Sequence, residues 1–156
     1  MRHHPQQRRS LLDRLTDDAP ETAVEPVQSQ SVGLNSMTRS VLRDLEKLLN
    51  TRSLAGGAPL PAGETARSIL AYGSRDFSSA NPRSQEVRQQ IRLEILRLLT
   101  RFEPRLKDVR VRLDPIRREG SLNFRIEAVL QVEPVSVPTV FDTCFDINSS
   151  SYTIHT

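Results

Sequence analysis

Apolar residues recur along this chain in two rhythms. From Leu34 the series Leu34, Met37, Val41, Leu45 and Leu48, with Leu42 and Leu49 beside it, returns every three or four positions. That spacing is one face of a helix, and it predicts an amphipathic helix over Ser36 to Asn50. A second stripe runs through Val87, Ile91, Ile95, Leu98 and Phe102, widened by Leu99. Asn81-Pro82 gives it a start, with asparagine as cap and proline at the first helical position. After Pro104 the period falls to two. Val109, Val111 and Leu113 alternate with Arg110 and Arg112, and Leu122, Phe124, Ile126, Ala128, Leu130 and Val132 alternate with Asn123, Arg125, Glu127, Gln131 and Glu133. With the turn Arg117 to Gly120 between them, these runs predict an antiparallel hairpin with one buried face. Thr139 to Ile147 and Tyr152 to His155 read as further strands around the turn Asn148 to Ser151. Helices first and strands last predict an α+β domain, N-terminal helices followed by a three- to four-stranded antiparallel sheet.

The segments between are weaker in pattern. Glu64 to Tyr72 reads as a short helix stopped by Gly73. Ala55 to Gly63, AGGAPLPAG, is a glycine- and proline-rich loop, and it lacks the Gly-Lys-Ser/Thr ending of a phosphate loop. Ser10 to Leu15 suggests one or two helical turns capped by Ser10, with Leu11, Leu12 and Leu15 on one side. Asp17 to Val32 is polar, contains two prolines and has no period, which marks a linker. The chain therefore divides into 1–33, a short helix with a linker, and 34–156, the folded domain. The Leu11, Leu12 and Leu15 patch either folds back on the core or docks on a partner.

Composition narrows the function classes. With 156 residues, 37% of them apolar, one domain is expected. The net charge of +3 and a pI near 9.6 permit acidic partners without demanding them. Lys47 and Lys107 are the only lysines, so the basic residues are nearly all arginine, the better former of bidentate carboxylate pairs. A single cysteine, Cys144, excludes an intrachain disulfide. No apolar run is long enough to span a membrane, and the basic N-terminus has no apolar stretch after it, so a reducing cytoplasm is the expected home. His3, His4 and His155 lie at the chain ends, which leaves little from which to build a transition-metal site or a catalytic triad. No cofactor is expected.

Two motifs could carry chemistry. Arg88, Arg92, Arg97 and Arg101 lie off the second apolar stripe, but Glu86, Glu94 and Glu103 interleave with them. Mixed signs favour a solvated face over a nucleic-acid grip. The other motif is Glu103-Pro104-Arg105, where the helical rhythm gives way to the strand rhythm. Proline disfavours the α conformation of the residue before it, so the helix should end at Phe102 or Glu103. Arg105 then emerges close enough to pair with Glu103, or with Glu127 across the sheet. The triplet reads as a clasp between helix and sheet, and a partly exposed pair of this kind is worth ~0.2–1 kcal/mol. A glycosidase reading would need a second carboxylate from Glu127, Glu133, Asp142 or Asp146 about 5–10 Å away, and one acid kept protonated. A neighbouring guanidinium favours the ionised form instead. There is no tryptophan and only two tyrosines to stack on a sugar.

Five stretches, LEKLLNTR, SILAYGSRDFS, ILRLLTRFEPRLKDVRV, LNFRIEAVLQVEP and PTVFDTCFDINSSSYTI, resemble in their order the baseplate wedge proteins of contractile phage tails. The likeness extends to the branch of that family found in bacterial type VI secretion systems. It covers about Leu11 to Ile154, with the Glu-Pro-Arg triplet its most specific mark. The departures are Ala71 where the family has asparagine, Ser74-Arg75 where it has Leu-Pro, and Ser150-Ser151 where it has Ser-Gly. The resemblance implies a non-enzymatic assembly protein in the type VI baseplate that presents a sheet edge to seed sheath polymerisation. It implies wedge and sheath subunits as partners, no nucleic acid or small-molecule ligand, and a place on the cytoplasmic side of the inner membrane. On that reading Phe141, Asp142, Thr143, Asp146 and Tyr152 are candidates to face the sheath, and Leu11, Leu12 and Leu15 to dock on the wedge. The family's older lysozyme-like label leaves one alternative, a peptidoglycan hydrolase using Glu103 and a second carboxylate.

Overall fold

The computed structural model describes residues 30–56, 63–115, 120–132 and 135–156. Leu11, Leu12, Leu15 and the Arg117–Glu119 part of the first hairpin turn lie outside them. Helix α1 spans Gln30–Asn50, a short helix α2 spans Glu64–Arg67, a 3-10 turn spans Ile69–Ala71, and α3 spans Gln85–Phe102. Strands β1 (Leu106–Leu113), β2 (Ser121–Val132), β3 (Val135–Asp146) and β4 (Ser151–His155) follow. They pair in chain order as one antiparallel meander, so the architecture is α+β with a four-stranded antiparallel sheet.

Period-two alternation makes the sheet two-faced. Leu122, Phe124, Ile126, Phe141, Phe145, Tyr152 and Ile154 point inward and are buried. They meet Val41, Leu45 and Leu49 of α1 and Ile91, Ile95, Leu98 and Leu99 of α3 in a single core. The other face carries charge: Arg112 pairs with Glu127 at 3.3 Å, and Arg125 with Asp142 at 3.0 Å. These pairs offset the like-charged Arg112 and Arg125, which sit directly opposite each other in the ladder.

Several boundaries differ from the sequence reading, each for a local reason. Helix α1 starts at Gln30, inside the stretch Asp17 to Val32 whose composition predicts a linker, because no proline lies between Pro26 and Asn50 and a glycine in the first turn is tolerated. The segment 64–72 is not one helix. Ser68 is extended, and its hydroxyl donates to the Thr65 carbonyl while accepting from the Leu70 amide, which breaks the run. Helix α3 starts at Gln85, capped by the Ser84 hydroxyl at the Val87 amide. Asn81-Pro82 instead forms a preceding turn, with the Asn81 side chain accepting from the Arg83 amide at 3.0 Å. Strand β1 starts at Leu106, earlier than expected, with a bulge between Lys107 and Arg110 and Asp108 at φ 52.

Gly73 has a task beyond stopping a helix. Its φ is +99, and a Cβ there would lie 2.5 Å from the Thr51 carbonyl oxygen. That close approach lets the Ser74 amide donate to Thr51 at 2.7 Å and the Ser53 amide to Ser74 at 3.0 Å. The loop after α1 is thereby stitched to the loop before α3.

Candidate assembly site

The joint after α3 is built by proline. The Glu103 amide makes the last helical bond, to the Leu99 carbonyl at 3.0 Å, and Pro104 can make none. The Leu106 amide then bonds back to the Glu103 carbonyl, and the Gln131 amide donates to the Arg105 carbonyl at 2.8 Å. Arg105 therefore belongs to the sheet by its main chain, while its side chain turns back toward the helices.

The guanidinium is held from three sides. Its Nε and Nη2 donate to the two oxygens of Glu103, each at 2.6 Å, the fork-on-carboxylate geometry that arginine is shaped for. Nη2 also donates to Asp44 of α1 at 2.7 Å, and Nη1 to the Ser40 hydroxyl at 3.3 Å. Side-chain exposure is 12% for Arg105 and 5% for Glu103. Burial alone would pull the guanidinium pKa down, but the hydrogen bonds and charges of Glu103 and Asp44 outweigh it and push it further up. Tyr72, edge-on to Phe102 at 5.4 Å, borders the cluster. Burial, then the charges of Asp44 and Glu103, raise its phenol.

This corrects two expectations. The pair is buried, not partly exposed, and it ties α1, α3 and β1 together. Glu127 takes no part in it and pairs with Arg112 on the outer face. Glu103 is also a poor candidate acid: both oxygens are occupied by Arg105, and the residue is 4% exposed. Among the described residues no group of His, Cys, Asp and Glu is placed to hold a metal ion.

Of the residues assigned to the sheath side, Phe141, Thr143 and Tyr152 are buried against the helices, which removes their side chains from any contact surface. The reason is the strand period: those three share the inward face with Phe145, while Asp142 and Asp146 point out and are exposed. Tyr152 packs on Phe145 at 4.6 Å, and burial pushes its phenol up to about 12.

A buried carboxylate escaped the sequence reading. Glu94 is not part of a solvated face. It is 6% exposed, accepts from Arg97 Nε at 2.8 Å and Nη2 at 2.7 Å, and accepts the Arg75 amide at 3.3 Å. Its position was visible on the helical wheel, where it borders Val87 and Leu98.

The two ends of the sheet are finished differently. On β1 the bulge and the exposed Lys107, Asp108, Arg110 and Arg112 blunt the edge. On the other side β4 covers only Asp142 to Asp146 of β3, so 135–141 of β3 has β2 on one flank and no described strand on the other. The alternation directs the backbone groups of Ser136, Pro138 and Val140 to that open flank. Pro138 thus sits where its missing N–H costs the ladder with β2 nothing.

A helix pair is thus clasped to a sheet by a buried ion pair, and no described strand covers one stretch of the sheet's edge. The family model for baseplate wedge protein gp25 matches residues 35–135, about two-thirds of the chain. The chain belongs to that family, whose members are structural components of the baseplate wedge and interact with other baseplate proteins. No curated protein and no solved structure matches it.

Proposed function

We propose that this chain is a TssE-type subunit of a type VI secretion baseplate, which joins the wedge to the contractile sheath and seeds sheath polymerisation. The observation that carries the sheath half of this reading is the flank of β3 over 135–141, which no described strand covers. An extended segment of a sheath subunit adds there by hydrogen bonds to the amides of Ser136 and Val140 and to the outward carbonyls, Pro138 offering no N–H, beside the exposed Val140. Asp142, exposed, stands at the end of that flank, while Asp146, also exposed, lies four residues further along β3 beside β4. The wedge half rests on the family and on Leu11, Leu12 and Leu15 as a docking segment. The working place is the cytoplasmic side of the inner membrane, and among the described residues no helix is long and apolar enough to cross one. The protein acts by assembly, with no reaction of its own. Purification of the tagged chain from its own cells should bring along wedge and sheath subunits. Recovery of nucleic acid alone, or of nothing, would sink the proposal.

A further inference from the structure

Strand β4 ends the sheet, yet its outer edge is not open. In an antiparallel ladder, backbone groups alternate between the two sides of a strand. Tyr152 and Ile154 are the β4 residues that turn theirs away from β3, and side chains of α1 meet them. The Asn50 amide oxygen accepts from the Tyr152 N–H at 2.7 Å, and its NH2 donates to the Tyr152 carbonyl at 2.9 Å. A carboxylate oxygen of Glu46 accepts from the Ile154 N–H at 3.2 Å. One side-chain amide thus takes the N–H and C=O of a single residue, as a residue of a neighbouring strand would. The Arg52 guanidinium, just past α1, continues the cover by donating to the Ser150 carbonyl at 2.8 Å.

We infer that Glu46 and Asn50 are an edge guard, occupying the N–H and C=O of Tyr152 and the N–H of Ile154 on the outer side of β4 so that a second copy of this chain cannot add there. The second copy is the relevant intruder because β4 carries no Lys, Arg, Asp or Glu, the residues that blunt the β1 edge. Two such edges meeting about a twofold axis would make one continuous antiparallel sheet, a self-complementary contact. The guard closes β4 while no described strand covers 135–141 of β3, which selects where a foreign strand can enter. The inference concerns self-pairing and does not depend on the sheath reading.

Hydrogen exchange and sedimentation velocity of the full chain test it. In the unaltered protein the Tyr152 and Ile154 amides should exchange slowly although they lie on an edge strand; fast exchange there overturns the guard outright. Asn50→Ala should speed exchange at Tyr152 at least tenfold, and Glu46→Ala should do so at Ile154. Asn50→Asp, which keeps the acceptor and loses the donor, should leave Tyr152 largely protected. The Glu46→Ala/Asn50→Ala protein should form dimers that grow with concentration beyond those of the unaltered chain. A folded double variant that associates no more than the unaltered chain overturns the inference. If the double variant does not fold, the two single variants, read by exchange and sedimentation, decide in the same way.

Discussion

Arg105→Ala distinguishes a buried clasp from a surface ion pair. The substitution leaves Glu103, 5% exposed, with a charge and without either of its 2.6 Å bonds. Asp44 loses a 2.7 Å bond as well, but at 20% exposure it can turn to water. The main cost is therefore a carboxylate stranded in the core, and removing one partner of a buried pair costs about 3–5 kcal/mol. Typical domains are stable by only about 5–15 kcal/mol, so the loss is a large fraction. A solvent-exposed pair would cost ~0.2–1 kcal/mol instead.

Urea denaturation followed by circular dichroism reads the difference as a fall in midpoint at constant slope. Arg105→Lys keeps the charge and loses the planar fork, so it should fall between the two. Glu103→Gln/Arg105→Met removes both charges and should recover much of the loss, because apolar replacement of a whole buried pair is often close to neutral. A loss below about 1 kcal/mol for Arg105→Ala, or a double variant no better than the single one, refutes the buried-clasp account.

The remaining outcomes follow from single contacts. Gly73→Ala should cost roughly 2–3 kcal/mol by thermal melting, since the new Cβ meets the Thr51 carbonyl at 2.5 Å and the backbone holds φ +99. Tyr152→Phe should be neutral or stabilising near pH 7, because the buried hydroxyl has no hydrogen-bond partner: Ser74, beside it, donates to the Arg75 carbonyl instead. The same variant should resist alkali better. The Tyr152 phenol moves from 10.0 to about 12 on folding, so its contribution is whole below pH 10 and is lost as pH rises through 12, about 2–3 kcal/mol in all. Thr143→Val, which deletes another unpartnered buried hydroxyl, should likewise melt no lower than the parent.

Local physics wrote most of the fold into the chain, and distance hid the rest. The 3.6 and 2.0 periods located α1, α3 and the strands because burial of one face follows directly from side-chain direction. The Glu-Pro-Arg joint was legible because proline acts on its immediate neighbour. The error lay in how deeply that joint is buried, which depends on Ser40 and Asp44, 65 and 61 residues away. Asn50 was invisible for the same reason: at the end of an amphipathic helix it looks like solvent-facing punctuation, and its partner Tyr152 lies 102 residues on. Glu94 is intermediate. Its place beside the apolar stripe could be read, but not that the loop at Arg75 would cover it.

Helix α1 joins the clasp to the edge. On a helical wheel at 100° per residue, Ser40 and Asp44 border one side of the α1 apolar stripe, and Glu46 and Asn50 border the other. The first pair is fixed by Arg105 and the second by β4. A helix held on both borders can neither roll nor slide. Freeing one border should loosen the other, and Asp44 stands only six residues, about 9 Å of helix, from Asn50. Arg105→Ala should therefore speed exchange of the Tyr152 and Ile154 amides in conditions where the variant is still folded, although it touches neither residue. Arg97→Ala makes the control, since it strands another buried glutamate, Glu94, on α3 without releasing α1. If the two variants, matched for global stability, change exchange at Tyr152 and Ile154 equally, the effect is general loosening and α1 transmits nothing. A rise confined to Arg105→Ala would mean that the triplet, buried and remote from the edge, sets how firmly that edge is closed.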